Sequence, residues 1–396
     1  MDPVRNPYAP GSGRTPAALV GRDGVRQEWA VSLQRAETGV VDPPFVLYGL
    51  RGVGKTVLLS QLGRDARARE WIVAQIEAGS GRSLRELLGE SLYEPLSELS
   101  RPSAGARLLR ALKTAMSFTA SYDSTGRWSF GLDLSESIGG GADSGILSTD
   151  LRKVLTDVSL AAAEAGKGLA VLIDESQDLD REELTSLAAI AHAAAQEGWP
   201  LLFVFAGLPS LPQMLAEARS YTERFRFEPI ERLSVTDAAR AVVEPAELHG
   251  AAWDPEAVAY LVEAAGRYPY FIQQFGQDAW KVAEGSPITR TDARRGVLDG
   301  LRQLDNGFFR ARWDRATPSE KRYLRAMCPE GDSGIPSGLI AERLGKSLPS
   351  LGPARAKLIF KGLVYAPDHG VVRFTVPGMA HFIARQPEET DVYSTK

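Results

Sequence analysis

The stretch Tyr48-Gly-Leu-Arg-Gly-Val-Gly-Lys-Thr-Val-Leu-Leu59 constrains this chain more than any other. Residues Gly49, Leu50, Arg51, Gly52, Val53, Gly54, Lys55 and Thr56 satisfy G-x-x-x-x-G-K-[ST] in full, with an apolar strand before and an apolar helix after. Glycines let backbone N–H groups turn inward around a polyphosphate without side-chain obstruction. The helix that follows directs its positive N-terminal dipole at the same oxygens. The pattern therefore predicts a strand–loop–helix unit that binds a nucleotide through Gly49–Thr56 and the following Val57. Lys55 is expected at the β- and γ-phosphates and Thr56 on Mg²⁺.

A strand that opens such a loop belongs to a parallel sheet, and the downstream pattern agrees. Apolar runs FVLYG, WIVAQIEA, LAVLIDE and LLFVFAG alternate with helical stretches such as EELTSLAAIAHAAAQEG. Strands without a polar face are covered on both sides. The alternating segment GRWSFGLDLS reads as a half-buried strand and SIGGGADSG as a loop. From about Leu233 the pattern is helical to about residue 315, where Thr317 and Glu320 stand at capping-box spacing.

The expected organisation is an extended, Pro- and Gly-rich arm over 1–19, an α/β core over 20–232, a helical lid over 233–311, a last module over 312–385 and a tail over 386–396. The arm lacks a basic start followed by an apolar core, so it is not a secretory signal. The single cysteine, Cys328, excludes an intrachain disulfide and suits a reducing cytoplasm. Four scattered histidines argue against a histidine metal centre.

The partner of the phosphate loop is Leu169-Ala-Val-Leu-Ile-Asp-Glu175, a buried strand that delivers two acids to the sheet edge. Asp174 is expected in the Mg²⁺ shell, and Glu175 is suited to polarise an attacking water. Gln177 follows in the same loop as a candidate γ-phosphate sensor. The strand 201–207 ends in FAGLPS, where Ser210 is the nearest hydroxyl. Arg219, Arg224 and Arg226 flank the next strand. Arg224 is the candidate to reach a neighbouring copy's γ-phosphate, which implies assembly on ATP binding; the alternative is a solvated basic face.

The last module, GLIAERLGKSLPSLGPARAKLIFKGLVYAPDHGVVRFTVP, reads as helix, turn, helix and β-hairpin, the order of a winged helix. Residues 312–385 hold twelve Lys and Arg against six Asp and Glu, a net +6 in a chain of net −4. Such a module suits an anionic partner. Lys346, Ser350, Arg355 and Lys357 on the turn and second helix, with Arg373 on the hairpin, are the candidates to contact duplex DNA. Winged helices also dock proteins, and that reading stays open.

GLRGVGKT, LAVLIDE, the entry segment ALVGRD and the helical lid together resemble the AAA+ and STAND ATPases, nearest to bacterial AAA-type ATP-binding proteins related to origin-recognition ATPases. The resemblance spans most of the chain, including GRYPYFIQQFGQDAW and LIFKGLVYAPDHGVVRFTVPGMAHFI. It implies a P-loop NTPase parallel sheet with helices on both faces, followed by an all-helical lid and a C-terminal winged-helix domain. It implies ATP and Mg²⁺ as ligands, and the intact set Lys55, Thr56, Asp174 and Glu175 favours slow conversion of ATP to ADP. It would place Val20, Gly21 and Arg22 beside adenine and ribose, and Tyr268 and Pro269 in the lid facing the nucleotide. Many relatives read Gly-Tyr-Pro where this chain has Arg267-Tyr-Pro, so Arg267 either reaches the phosphates or points to solvent. Three activities fit: an ATP-driven switch on DNA, a signalling or scaffold ATPase whose assembly ATP controls, or a nucleotide-binding module that scarcely hydrolyses.

Overall fold

A computed structural model describes residues 1–11, 13–79, 81–99, 106–119, 142 and 144–387. The segments read as the strand GRWSFGLDLS and most of the loop after it lie outside the described residues. The described residues form two compact units, one of 22–49 with 55–230, the other of 1–21, 50–54 and 231–396.

The first unit is a layered α/β structure. In chain order it comprises α1 (Asp23–Glu37), β1 (Phe45–Tyr48), α2 (Lys55–Arg67), β2 (Ile72–Glu77), α3 (Leu84–Leu99), α4 (Ala106–Thr119) and α5 (Leu147–Ala163). Then follow β3 (Leu169–Asp174), α6 (Arg181–Glu197), β4 (Leu201–Gly207), α7 (Leu211–Ala218) and β5 (Arg226–Pro229). The sheet order is β2-β3-β4-β1-β5, and every pairing is parallel. Every residue of β3 and β4 is buried, which is why neither run shows a polar alternation. Each large apolar side chain removed from water there contributes roughly 1.5–3 kcal/mol.

That topology positions the site. β4 lies between β1 and β3, yet both motifs leave the sheet at strand carboxyl ends. Open α/β sheets bind ligands outside those ends. α2 starts at Lys55 and buries Leu58, Leu59, Leu62 and Ala66. The Trp29 indole of α1 donates to the Leu62 carbonyl at 2.9 Å. These contacts fix the first turn of α2 in place.

The second unit is mainly helical: α8 (Val235–Glu247), α9 (Pro255–Ala264), α10 (Pro269–Val282) and α11 (Arg290–Gln303), then a π-turn over Leu304–Phe309 and α12 (Arg310–Trp313). It continues through α13 (Pro318–Met327), β6 (Ile335–Pro336), α14 (Ser337–Leu344), α15 (Leu348–Phe360), β7 (Val364–Tyr365), β8 (Val371–Phe374) and α16 (Met379–Ala384). β8 pairs antiparallel with both β6 and β7. The capping box at Thr317 and Glu320 forms as its spacing predicts.

The amino-terminal arm is less extended than its composition suggests. Pro3–Arg5 is a single 3-10 turn. Tyr8 is buried, its hydroxyl bonded to the Val242 carbonyl and to the Trp253 indole. The arm packs on α8 and α10 because its one large aromatic finds polar partners and apolar cover at the same place.

Candidate active site

The phosphate loop takes its shape from two glycines. Gly52 and Gly54 have φ of 84° and 96°, values that side-chain-bearing residues rarely adopt. A Cβ built at Gly54 would meet no atom within 4 Å, whereas one at Gly52 would strike the Tyr268 ring at 2.9 Å. The loop is thus open on one side and tightly packed on the other. Lys55 heads α2, is only 8% exposed, and donates from Nζ to the Gly49 carbonyl at 3.0 Å. The first N–H groups of any α-helix have no acceptor within the helix one turn earlier, so the head of α2 favours an anion.

Asp174 ends β3, also 8% exposed. Burial pushes its carboxyl above the usual range, while the Thr56 hydroxyl and the Glu175 N–H, at 2.9 Å, bond to it and pull the other way. A buried carboxylate joined to a hydroxyl is a pair of hard oxygen donors, which fits Mg²⁺. Lys55 and Thr56 at the head of α2 and Asp174 at the end of β3 therefore come together.

Glu175 sits at φ 47°, ψ 38°, in the left-handed region. A non-glycine residue persists there only when its surroundings over-determine it. The Ser176 hydroxyl donates to the Ile173 carbonyl at 2.8 Å, and the Asp178 N–H to the Glu175 carbonyl at 2.9 Å. The Gln177 side chain donates to Glu175 Oε2 at 2.7 Å and accepts from the Leu208 N–H at 2.9 Å. Ser210 caps α7 by position alone, with no side-chain bond to the helix.

Of the three arginines around the start of β5, Arg226, the first residue of the strand, pairs with Glu28 at 2.8 Å and lies over the Phe45 ring, a structural role. Arg219 and Arg224 are exposed. Arg22 precedes α1.

In the second unit, Val20 is buried, and a Cβ at Gly21 would come within 3.0 Å of Asp237 in α8. Tyr268 and Pro269 open α10. Tyr268 is 1% exposed, its hydroxyl has no hydrogen-bond partner, and burial raises its pKa. The neighbouring Tyr270 N–H donates to the Gly52 carbonyl at 3.3 Å. Arg51 donates its N–H to the Thr375 carbonyl at 3.4 Å. Its guanidinium lies so close to Gly362 that a Cβ there would come within 2.7 Å. Arg312 packs over the Phe308 ring at 3.8 Å. Burial, with Arg51 and Arg315 nearby, brings its pKa down to about 10. Tyr270 and Arg312 carry no motif, and nothing local in the sequence marks them.

Arg267 is exposed at φ 60°. The left-handed conformation costs a side-chain-bearing residue about 1–2 kcal/mol. Arg267→Gly is expected to stabilise the fold by about 1 kcal/mol in a denaturant titration and to leave ATP affinity unchanged. A weaker ATP complex would show that Arg267 reaches the phosphates.

The candidates on the last module fare unequally. Lys346, Ser350 and Lys357 are exposed, and the Ser350 hydroxyl bonds its own turn at the Ser347 carbonyl, 2.7 Å away. Arg355 and Arg373 are half-buried, each with a buried Nε lacking a hydrogen-bond partner. Three cations of the module are paired: Arg343 with Glu330 and Lys361 with Glu320, acids already counted in the net +6, and Arg385 with Asp305 outside residues 312–385. Arg325 is spent on the carbonyls of Ile383, Gln386 and Pro387.

The parallel sheet, phosphate loop and acid-tipped β3 define a P-loop NTPase fold. Residues 18–204 match the model of the AAA ATPase domain. Residues 306–383 match a domain family of unknown function, DUF8462. In fold the chain is similar to the Walker-type ATPase PABY2304 of Pyrococcus abyssi, at 18% identity over 92% of this chain and 96% of that one, with a TM-score of 0.58. It also aligns with the Aeropyrum pernix ORC1 protein, solved in complex with DNA, at 16% identity over 94% of each chain and a TM-score of 0.46. A third alignment is with the RuvB Holliday junction branch migration motor of Thermotoga maritima, at 13% identity over 89% and 92% and a TM-score of 0.45. No curated protein matches the chain in sequence. No helix among the described residues is long and apolar enough to cross a membrane.

Proposed function

We propose that this protein is an ATP-driven switch that binds and slowly hydrolyses ATP and acts on duplex DNA through a C-terminal winged helix. The observation that carries the first half is the convergence of Lys55, Thr56 and Asp174 at the carboxyl ends of β1 and β3. The loop N–H groups and Lys55 hold the β- and γ-phosphates; Thr56 and Asp174 hold Mg²⁺. Mg²⁺, when bound, supplies positive charge to the phosphate oxygens. Glu175 orients and polarises the attacking water. Val20, Gly21 and Arg22 are assigned to the adenine and ribose, and Tyr268 and Pro269 to the lid side of the nucleotide. Arg224, exposed before β5, is assigned to the γ-phosphate of a neighbouring copy, so ATP binding favours a homo-oligomer.

The order α13, β6, α14, α15, β7, β8 supports the winged-helix reading, with α15 as the helix that enters the major groove. Lys346 and Lys357 are among its exposed cations, with Ser350, Arg355 and Arg373 as further contacts. A specific observation favours a second reading, a scaffold ATPase whose last module docks protein: Phe360, at the end of α15, is 86% exposed, and Leu348, at its start, is 53% exposed.

Fluorescence anisotropy with duplex DNA at two salt concentrations separates the readings. On the DNA reading, affinity falls steeply with salt, because each neutralised phosphate releases counterions. Lys357→Ala then weakens binding and makes its salt dependence shallower, by about one unit of log–log slope. A chain that binds ATP but shows no DNA affinity at low salt, with or without ATP, leaves the docking reading.

A further inference from the structure

Strand β4 brings no polar side chain to the phosphate edge of the sheet. Its run Leu201-Leu-Phe-Val-Phe-Ala-Gly207 and the following Leu208 are apolar or glycine throughout. A polar group stands at that edge nonetheless, and it comes from the neighbouring strand's loop. Gln177 reaches across from the turn after β3, and its Oε1 accepts the Leu208 N–H at 2.9 Å. A Cβ at Gly207 would lie 2.8 Å from that oxygen, so the approach exists only because residue 207 is glycine.

The same carboxamide faces Glu175, with Nε2 2.7 Å from Oε2. Its orientation is not free. A backbone N–H can only donate and an ionised carboxylate can only accept, so a flipped amide would lose both bonds. The end of β4 thus fixes Gln177, and Gln177 fixes the Glu175 carboxylate. Glu175 itself is on a left-handed backbone, which sets the direction in which its side chain leaves the end of β3. A general base acts only within hydrogen-bond reach of the water it polarises.

We infer that Gln177 is a positioning residue for hydrolysis: it ties the Glu175 carboxylate to the end of β4, so that the placement of the base follows that strand end. The inference rests on the ATPase reading above. Gln177 acts through Glu175 and adds nothing to holding the nucleotide.

Steady-state hydrolysis and equilibrium ATP binding by the full chain test this. Gln177→Leu is expected to lower kcat at least tenfold while the Kd for ATP stays within twofold. Gln177→Glu, which keeps the shape and the Leu208 bond but sets two carboxylates face to face, is expected to do the same. Gln177→Asn, one methylene short, is expected to fall between Leu and wild type. The decisive readout is a double-mutant cycle. In a Glu175→Gln background, Gln177→Leu should cause no further loss, because residues that act as one unit are non-additive. Thermal unfolding of each variant reports on folding, and the isosteric Glu variant serves if the Leu variant is unstable. Wild-type kcat in both Gln177→Leu and Gln177→Glu overturns the inference, as do losses that multiply in the double variant. A wild-type chain that binds ATP without turning it over overturns the ATPase reading itself, and this inference with it.

Discussion

Lys55→Ala is expected to abolish ATP binding at micromolar nucleotide, measured by calorimetry or with a fluorescent ATP analogue. The Lys55 side chain is nearly buried and folded onto the Gly49 carbonyl. It is the cation placed at the mouth of the loop whose glycines leave space around Gly54. A charge-assisted hydrogen bond to a phosphate contributes about 1.5–3 kcal/mol, and removing the donor leaves phosphate charge facing a carbonyl. A loss of about 3 kcal/mol weakens binding ~100-fold. The fold should persist, because the truncated side chain leaves the apolar face of α2 untouched: Leu58, Leu59 and Leu62 still pack. Unchanged affinity in a folded Lys55→Ala protein would show that the nucleotide is not held in this loop.

The parts of this site that were legible are those written within a few residues of one another. The phosphate loop is eight consecutive residues between two apolar runs, and the chemistry of each position follows from its type. Asp174 stands out in the sequence because an otherwise apolar strand carries an acid only at its end. Thr317 and Glu320 were legible because a capping box is local. Long-range partners were not. Nothing around Tyr270 says that its N–H meets Gly52, and nothing around Arg51 says that its N–H meets Thr375. The amino-terminal arm illustrates the same limit. Its composition reads as extended chain, yet Tyr8 is buried against residues more than two hundred positions away. Net charge also omits position. It does not show that Arg343, Lys361 and Arg385 each face an acid. Only the Arg385 pair, whose Asp305 lies outside residues 312–385, offsets the module's +6, and Lys346 and Lys357 are among the cations left exposed.

Glu175→Gln is expected to keep ATP affinity within a few-fold of wild type and to lower kcat by about two to four orders of magnitude, the range for losing a general base. The two halves of this expectation have separate causes. On the proposed assignment, binding resides in the loop amides, Lys55, Thr56 and Asp174, none of which the substitution removes. The amide is nearly the size of the carboxylate and its oxygen can still accept from Gln177, so the turn over Ser176–Asp178 should hold. What is lost is the ability to take a proton from water. Binding is read by calorimetry and turnover by phosphate release over the same nucleotide range. If the variant traps ATP, it also tests assembly: a species larger than the monomer in ATP, and not in ADP, is the state in which Arg224 can meet a neighbour's γ-phosphate. Hydrolysis at the wild-type rate would remove Glu175 as the base and require another group near the end of β3 to polarise the water.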